Sequence, residues 1–451
     1  MFTRILIANR GEIACRVIRT CKRMGIETVA VYSEADRDSL HVRLADVAIC
    51  IGPAESARSY LYLPSILSAA EIADVDAIHP GYGFLSENAH FAEVCRSLDI
   101  VFIGPSVSAM AKMGDKASAR ELARAAGVPV LPGSKGLIQN DEEALRIARD
   151  IGYPVIIKAT AGGGGRGIRV AHNDASFRHS LAQARTEAEK AFGDGGIYLE
   201  KFLEQPRHIE VQVICDEHGN NLHLFERDCT IQRRRQKLLE ESPSPVLDKS
   251  TRRAVCEAAV ALCKAAGYTN AGTLEFLYQD GKFYFMEMNT RIQVEHPVTE
   301  MVTRLGRDHI LDLVEEQIRV AAGEKLRWRQ KDITAVGHAI EMRINAEDPE
   351  RNFAPCPGKV NLFVTPEAPY LRVDSFLYSG YRIPPYYDSL IAKLIVHGAN
   401  RAEAIERAKK ALADIIIDGV HTTIPFHRKL LTQIKFVQND YNINFVDQHM
   451  V

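Results

Sequence analysis

The first hundred or so residues alternate short apolar runs with amphipathic segments, and this alternation constrains the fold more than any other feature. Buried strands are predicted at 5–8, 28–32, 77–79 and 101–104, and a helix is predicted over 12–24, ending at Gly25. Strands that alternate with helices are typical of a doubly wound parallel sheet. No GxGxxG motif follows the first strand, so a dinucleotide site is not expected.

The chain of 451 residues is long enough for about two to four domains. We predict a Rossmann-like domain over 1–114, a helical connection over 115–130, a smaller α/β unit over 131–203 and a C-terminal region over 204–446. In that last region strands and hairpins precede helices near 400–415 and 425–435. The predicted fold class is α/β, with α+β character in the C-terminal half.

Composition argues against several classes of protein. Hydrophobic residues make up 46% and charged residues 25%, and a net charge of -2 gives no reason to expect a nucleic-acid partner. Nine cysteines are scattered singly, without a CxxC pair, which argues against a disulfide framework and favours a reducing cytoplasm. The chain starts with a short strand rather than a signal peptide, and it has no apolar run long enough to span a membrane.

The strip 287–297, Glu-Met-Asn-Thr-Arg-Ile-Gln-Val-Glu-His-Pro, concentrates polar chemistry. In an extended segment alternate residues share a face, so one face is predicted to carry Glu287, Asn289, Arg291, Gln293 and Glu295. The opposite, buried face would carry Met288, Ile292 and Val294. Oxygen ligands at the start suit Mg²⁺, and the guanidinium, amide and carboxylate that follow suit a small oxyanion and a base. The alternative, a solvated strand edge, is disfavoured by this apolar alternation.

Four adjacent glycines, 162–165, follow an apolar strand at 154–157 and Lys158. Such a run can close backbone amides over phosphate oxygens, and Lys158 would add a point charge. It is not a Walker loop, because no GK[ST] follows, and a plain flexible hairpin tip is the alternative. Lys116, at the start of a predicted helix over 116–126, belongs to such a site only if it faces Lys158 across a cleft.

Weaker candidates follow along the chain. Segment 200–203 is predicted as the end of a strand that could offer backbone groups and an apolar wall to a purine ring. His208 and the basic run 232–237 are polar, but a basic run is more often a solvated face. Acidic partners for that run are close at hand in segment 224–228.

The predicted hairpin over 273–289 decides whether Glu275 and Glu287 can share a metal ion. A two-residue turn at Asp280-Gly281 would place Glu275 opposite Met286, with the two glutamates on opposite faces. We therefore predict a three-residue loop over 279–281 with Gly281 left-handed, which returns both carboxylates to one face.

Together these motifs resemble those of the biotin carboxylases, members of the ATP-grasp superfamily, from residue 1 to about 446. The resemblance is carried by segments 7–14, 79–88, 162–165, 226–229, 287–297 and 343–349. The glycine run alone is weak. The combination of His-Pro-Gly-Tyr-Gly-Phe-Leu-Ser-Glu-Asn at 79–88 with the strip 287–297 is very specific.

The resemblance implies a reaction in which bicarbonate attacks the γ-phosphate of MgATP to give carboxyphosphate. This releases CO₂, which carboxylates N1 of biotin held on a carrier protein. The cofactors implied are ATP, Mg²⁺ or Mn²⁺, and biotin.

The resemblance also implies a role for individual residues. ATP would be bound by Lys116, Lys158, Gly163, Gly164, Gly165, Glu200, Lys201, Leu203, His208, Gln232, Glu275 and Glu287. The metal ion would be bound by Glu275, Glu287 and Asn289, and bicarbonate by Lys237, Arg291, Gln293 and Val294. Glu295 would be the base that deprotonates bicarbonate, kept ionised by cationic neighbours, and Arg291 and Lys237 would be catalytic with it. Arg343 would stabilise the enolate-like oxygen of biotin, and Tyr82 would contact biotin.

The chain departs from the family pattern in three places. Ala161 replaces a glycine that often begins the lid, and Arg235 stands where a histidine is often found. Segment 303–310 is longer than the usual turn and could alter carrier docking or biotin entry, although an inert surface loop is the simpler interpretation.

The expected partners are a biotin carboxyl carrier protein, carboxyltransferase subunits and a second copy of the chain. With these partners, the chain would be a free-standing cytoplasmic subunit of acetyl-CoA carboxylase, an enzyme of fatty acid synthesis. Three alternatives stay open: the same subunit of a pyruvate or propionyl-CoA carboxylase, an ATP-grasp ligase with an amine acceptor, and a nucleotide-binding scaffold without catalysis. The scaffold predicts a gap among the reacting groups, and the sequence has none.

Overall fold

The computed structural model describes residues 1–134, 136, 138, 140–159, 168–192, 197–307 and 309–450. It confirms the doubly wound parallel sheet near the N-terminus. The strands are β1 (Arg4–Ile7), β2 (Glu27–Ser33), β3 (Val47–Gly52), β4 (Ala77–His79) and β5 (Val101–Phe102), in the order β3-β2-β1-β4-β5. The helices are α1 (Gly11–Arg23), α2 (Leu40–Leu44), α3 (Leu63–Ile72), α4 (Ala89–Ser97) and α5 (Val107–Gly114). Alternate residues of β1 enter two different apolar cores, as expected for a sheet covered on both faces.

The carboxyl ends of β1 and β4 bring segments 9–12 and 79–88 together. The Asn9 side-chain amide donates to the carbonyls of Pro80, at 2.7 Å, and Tyr82, at 2.8 Å. This edge of a parallel sheet is where α/β folds usually bind ligands.

A smaller unit follows α6 (Lys116–Ala125). It contains α7 (Asp141–Ile151), β6 (Val155–Ala159), β7 (Ile168–Ala171), α8 (Asp174–Phe192) and β8 (Ile197–Lys201). The three strands form an antiparallel sheet in the order β7-β6-β8. Ala161 and the predicted phosphate loop 162–165 lie outside the described residues.

The C-terminal region is built on a large antiparallel sheet. Its strands are β9 (Arg207–Cys215), β10 (Asn221–Arg233), β11 (Gln236–Ser242), β12 (Asn270–Gln279), β13 (Lys282–Asn289), β14 (Thr303–Leu305), β15 (His309–Ile310), β16 (Ile333–Ala335), β17 (His338–Asn345), β18 (Glu347–Asp348), β19 (Ala354–Pro355), β20 (Leu362–Val364), β21 (Leu371–Ser375), β22 (Leu390–Gly398) and β23 (Ile416–Asp418). Eight of them form one sheet in the order β13-β12-β9-β10-β11-β17-β22-β21. The helices are α9 (Lys249–Ala266), α10 (His296–Val302), α11 (Leu313–Ala321), α12 (Arg401–Asp414), α13 (Ile424–Leu430), α14 (Ile434–Val437) and α15 (Phe445–His449).

The two faces of the large sheet differ in polarity. On β9, Ile209, Val211 and Val213 belong to the apolar core that includes α9, whereas His208 and Glu210 alternate with them and point to the opposite face. The strip 287–297 approaches this opposite, polar face, where the functional groups collect.

The longer segment 303–310 contributes β14 and β15 to a small sheet with β16. Leu305 is buried there, and the ring of His309 stacks on Trp328 with centroids 5.7 Å apart. A role of this segment in carrier docking stays a prediction.

Among the described residues, no helix combines the length and apolarity that crossing a bilayer requires.

Candidate active site

The strip 287–297 does not continue as a strand, and the predicted alternation is wrong beyond Asn289. β13 ends there, and the chain bends before α10 begins at His296. Glu87 of the N-terminal domain stabilises this bend. Its carboxylate accepts hydrogen bonds from the Thr290 backbone N–H at 2.9 Å and from the Arg291 Nε at 3.0 Å. The strip is therefore set by a contact between distant segments rather than by strand pairing.

The polar side chains of the strip nevertheless converge. Asn289, Arg291, Gln293 and Glu295 line one cavity of about 270 Å³, together with Glu275 and Arg343. Val294 also lines it and is only half-buried, so its predicted place on a buried opposite face is wrong. Met288 and Ile292 are buried as predicted.

The hairpin of β12 and β13 reaches the predicted facing by a different route. Gln279 pairs with Lys282, so the loop has two residues, Asp280 and Gly281, both with positive φ. The predicted three-residue loop is therefore wrong. A β-bulge at Met286 supplies the extra residue instead, because Glu275 pairs with Glu287 while Phe276 pairs with Phe285. The two carboxylates consequently lie opposite each other.

Lys237 occupies the centre of the polar face. Its mostly buried side chain places the ammonium against the carboxylates of Glu210, Glu275, at 3.1 Å, and Glu295, at 2.7 Å. Burial lowers the pKa of Lys237, but these three carboxylates outweigh it and raise the pKa well above its usual value. The basic run 232–237 is therefore more than a solvated face: it ends in the site, and the acidic partners of Lys237 come from β9, β12 and the residue before α10. Arg235, to which no role was assigned, lines the same cavity.

Glu295 lies between two cations. Its Oε2 accepts from Arg343 at 2.9 Å, and its Oε1 accepts from Lys237. Burial raises the pKa of Glu295, but the nearby charges of Lys237 and then Arg343 outweigh burial. The net shift of the pKa is downward, so the carboxylate stays ionised, as expected. The Nε of Arg343 binds Glu240 at 2.6 Å, which leaves the guanidinium held from two sides.

Arg227 and Glu210 support the site and were not assigned a role from sequence. The fully buried Arg227 donates to Gln293 at 2.6 Å, to Gln212 at 2.8 Å and to Glu210 at 3.2 Å. It therefore fixes the amide of Gln293. The signal that could have found Glu210 is its alternation with apolar residues on a buried strand.

His208 lies beside carboxylates. Its Nε2 is 3.0 Å from Glu210 and 3.2 Å from Glu275. Burial lowers the pKa of His208, but Glu275 and Glu210 outweigh it and raise the pKa to about 9. Ligand atoms of these three residues lie within 4.8 Å of one another, but the Lys237 ammonium already pairs with both carboxylates. That cation competes with a metal ion there.

The predicted metal ligands fit a hard cation better. Glu287 pairs with Glu275 across the hairpin, and Asn289 donates to Glu275 at 2.8 Å, so two carboxylates and an amide share one edge. Oxygen donors of this kind are what Mg²⁺ prefers. In this structure the Glu287 carboxylate contacts the Lys116 ammonium at 2.8 Å.

The lysines predicted for phosphates lie on the side of the smaller unit. Lys158 contacts Glu200, and Glu200 also contacts Arg120, so this buried carboxylate pairs with two cations. Burial, then Arg120 and Lys116, lower the pKa of Lys158 to about 7, whereas the touching Glu200 carboxylate favours the charged form. The charge of Lys116 therefore acts on Lys158, whereas a cleft between the two lysines stays a prediction.

The remaining nucleotide candidates occupy the neighbouring strands. The ammonium of Lys201 donates to the carbonyls of Gly152, at 3.0 Å, and Tyr153, at 2.8 Å. Leu203 is half-buried just after β8, and Gln232 is buried near the end of β10. Gly163, Gly164 and Gly165 lie outside the described residues.

A second cavity of about 490 Å³ lies between the N-terminal domain and the large sheet. Tyr82 lines it, and the Tyr82 hydroxyl donates to Glu12. Arg291, Val294 and Arg343 line both cavities, so the two meet at these side chains.

Comparison with known proteins covers nearly the whole chain. Residues 1–110 match the biotin carboxylase N-terminal domain, 115–329 the ATP-binding domain of the carbamoyl-phosphate synthase L chain, and 341–448 the biotin carboxylase C-terminal domain. The chain is 56% identical to biotin carboxylase 1 of Bacillus subtilis, covering 100% of this chain and 99% of that protein.

Solved structures of biotin carboxylases are similar to this chain over nearly its whole length. A biotin carboxylase from Campylobacter jejuni, in complex with β,γ-ATP, superposes with a TM-score of 0.92 at 50% identity, covering 100% of this chain and 99% of that one. The biotin carboxylase domain dimer of Hydrogenobacter thermophilus 2-oxoglutarate carboxylase, with MgADP, ADP and bicarbonate, superposes with a TM-score of 0.89 at 48% identity, covering 100% and 98%.

Proposed function

Since this chain belongs to the biotin carboxylase family of ATP-grasp ligases, we propose that it carboxylates biotin on a separate carrier protein, using ATP and bicarbonate. The observation that carries the proposal is the position of Glu295. It is held by Lys237 and Arg343, and Arg343 lies where the two cavities meet. The smaller cavity suits bicarbonate, and the larger suits the ring of biotin.

The nucleotide would bind between the smaller unit and the large sheet. Lys116 and Lys158 would bind phosphates, and Glu200, Lys201, Leu203, His208 and Gln232 would surround the nucleoside. Glu275, Glu287 and Asn289 would hold Mg²⁺, which would offset negative charge on the phosphates.

Bicarbonate would be seated by Lys237, Arg291, Gln293 and Val294. Arg291 is fixed by Glu87, and Gln293 by Arg227, so both donors are oriented before bicarbonate arrives. Glu295 takes the bicarbonate proton as the bicarbonate oxygen bonds to the γ-phosphorus and the bond to ADP breaks. The carboxyphosphate formed then splits into CO₂ and phosphate.

Arg343 would act in the second half of the reaction. Biotin N1 loses its proton to the phosphate just released and bonds to CO₂. The charge that develops on the ureido oxygen is stabilised by the guanidinium of Arg343, which Glu240 and Glu295 hold in place. Tyr82 would form the opposite wall of the biotin cavity.

The final acceptor we propose is acetyl-CoA, with pyruvate or propionyl-CoA as the alternative. The carboxyl group would reach it through a biotin carboxyl carrier protein and carboxyltransferase subunits. We propose a cytoplasmic homodimer.

Phosphate release from ATP tests the proposal. With Mg²⁺ and ATP alone the rate should be low, bicarbonate should raise it, and free biotin should raise it further. Release that ignores bicarbonate, or that an amine stimulates instead, would favour another ATP-grasp ligase. A carrier-protein pull-down would then identify the acceptor system.

A further inference from the structure

Lys393 is a fully buried lysine on the strand next to the edge of the large sheet, and the proposed reaction gives it no role. It lies on β22, in register with Arg343 of β17 on one side and with Asp374 of β21 on the other. Directly paired residues of neighbouring strands point to the same face of a sheet. Lys393 therefore enters the polar face beside the guanidinium assigned to biotin.

The ammonium of Lys393 contacts groups from two parts of the molecule. It donates to the Val294 carbonyl at 2.9 Å, and it lies 3.0 Å from the Glu12 carboxylate of α1. Asp374 is more distant, at 3.9 Å. The Oε1 of Glu12 that faces Lys393 also accepts from the Tyr82 hydroxyl.

These contacts join the walls of both cavities. Val294 lines the smaller and the larger cavity, whereas Tyr82 lines the larger one. Arg343 and Lys393, in register, hold consecutive residues of the strip: Arg343 binds the Glu295 carboxylate and Lys393 binds the Val294 carbonyl.

We propose that Lys393 is a positioning residue that fixes the Val294 backbone, and with it the bicarbonate seat, relative to Glu12 and Tyr82 of the biotin cavity. This inference rests on the proposed function. Lys393 touches neither substrate: it acts through the Val294 carbonyl on one side and through Glu12 on the other. Its loss should therefore weaken bicarbonate and biotin use without a comparable effect on ATP.

The simpler interpretation is that Lys393 only balances buried charge. Lys393→Met leaves Glu12 and Asp374 without their shared cation, so this variant is expected to fold poorly. The double variant Lys393→Met/Glu12→Gln removes one charge of each sign and keeps an oxygen that can accept from Tyr82. The two interpretations differ here, because the double variant restores charge balance but not the donor to Val294.

The experiment measures thermal stability and the KM for bicarbonate, biotin and ATP in Mg²⁺-dependent phosphate release. We expect the double variant to melt near the wild type, with a KM for bicarbonate raised at least about tenfold, a raised KM for biotin and a KM for ATP changed less than about twofold. Lys409→Met, which removes a partly exposed lysine paired with Glu406, is the matched control and should be unchanged in all four quantities.

Lys393→Arg keeps the charge and a donor, so it should return the KM for bicarbonate to within about threefold of wild type. A folded double variant with a normal KM for bicarbonate would overturn the positioning role, as would a folded Lys393→Arg enzyme that is as defective as Lys393→Met/Glu12→Gln. Wild-type enzyme that shows no bicarbonate-dependent phosphate release would refute the proposed function instead.

Discussion

The candidate site has two ends that hold their cations in different ways: a bicarbonate end around Lys237, Glu295 and Arg343, and a nucleotide end around Lys116 and Lys158. At the bicarbonate end, Lys237 and Arg343 are mostly buried and pair with Glu295, a group assigned to the reaction itself. At the nucleotide end, Lys116 is 72% exposed and pairs with Glu287, a predicted metal ligand, while Lys158 pairs with Glu200. In the proposed reaction, the first end would be assembled before any substrate arrives, whereas the cations of the second end would exchange carboxylates for phosphates.

The difference follows from the elements that supply each end. At the bicarbonate end, Lys237 and Arg343 lie on neighbouring paired strands of the large sheet, and the strip that carries Glu295 is held beside them by Glu87. The nucleotide end joins that sheet to the separate sheet β7-β6-β8, and exposed ion pairs such as Lys116–Glu287 contribute little stability. Substitutions at the bicarbonate end should therefore affect turnover, and those at the nucleotide end should affect ATP affinity.

The largest effect is expected for Glu295→Gln. The amide keeps the size of the side chain but cannot take the bicarbonate proton, so bicarbonate-dependent phosphate release should fall about 10³-fold. ATP affinity, measured by calorimetry, should change less than about threefold, because neither cation of the nucleotide end contacts Glu295. Glu257→Gln, in an exposed pair with Arg253, is the control. Normal turnover in Glu295→Gln would show that the base lies elsewhere.

Arg343→Lys tests the second half-reaction. A single ammonium cannot bind Glu240 and Glu295 as a fork and also stabilise the biotin oxygen, so carboxylation of free biotin should fall about 10²-fold. Phosphate release that needs only bicarbonate should fall less. The matched control is Arg401→Lys, because Arg401 binds the buried Glu241 in a similar forked pair outside the site. Equal losses in both activities would make Arg343 part of the bicarbonate seat alone.

Lys158→Met tests the nucleotide end, where we expect a change in affinity rather than in turnover. Loss of one charge-assisted contact to phosphate should raise the KM for ATP about tenfold and leave kcat nearly unchanged. Lys116→Met should have a smaller effect because its ammonium is more exposed. Lys112, exposed on α5, provides the control Lys112→Met. A fall in kcat without a change in the KM for ATP would contradict the division between the two ends.

Local sequence patterns predicted the parts of the site that depend on local structure. The apolar runs gave the parallel sheet, and the need for a shared face gave the correct facing of Glu275 and Glu287. The three-residue loop that was predicted to produce this arrangement was wrong. Asp280-Gly281 forms the two-residue turn that its sequence favours, and the bulge at Met286 that supplies the extra residue leaves no signal in the composition.

Contacts between distant segments were not predictable in this way. The bend after Asn289 depends on Glu87, which is 204 positions from Arg291 in the chain. Glu210 and Arg227 look like ordinary strand residues until β9, β10 and β12 are paired. Their acidic and cationic partners come from tertiary pairing, which no spacing within a single segment reveals.

The smallest expected effect concerns His208, where the two ends meet at Glu275. Glu275 and Glu210 raise the pKa of His208 to about 9 despite burial, against a usual value near 6.5. Because the folded pKa lies above the unfolded one, the protonated ring stabilises the fold fully below about pH 6.5, and this contribution is lost as pH rises through 9. The melting temperature of His208→Gln should therefore lie below that of wild type at pH 6.5 and approach it by pH 9.5. The control is His90→Gln, which replaces a histidine with an exposed side chain. A difference for His208→Gln that does not change between these pH values would mean that His208 is neutral beside Glu275, and that the carboxylates of the two ends share only the Lys237 cation.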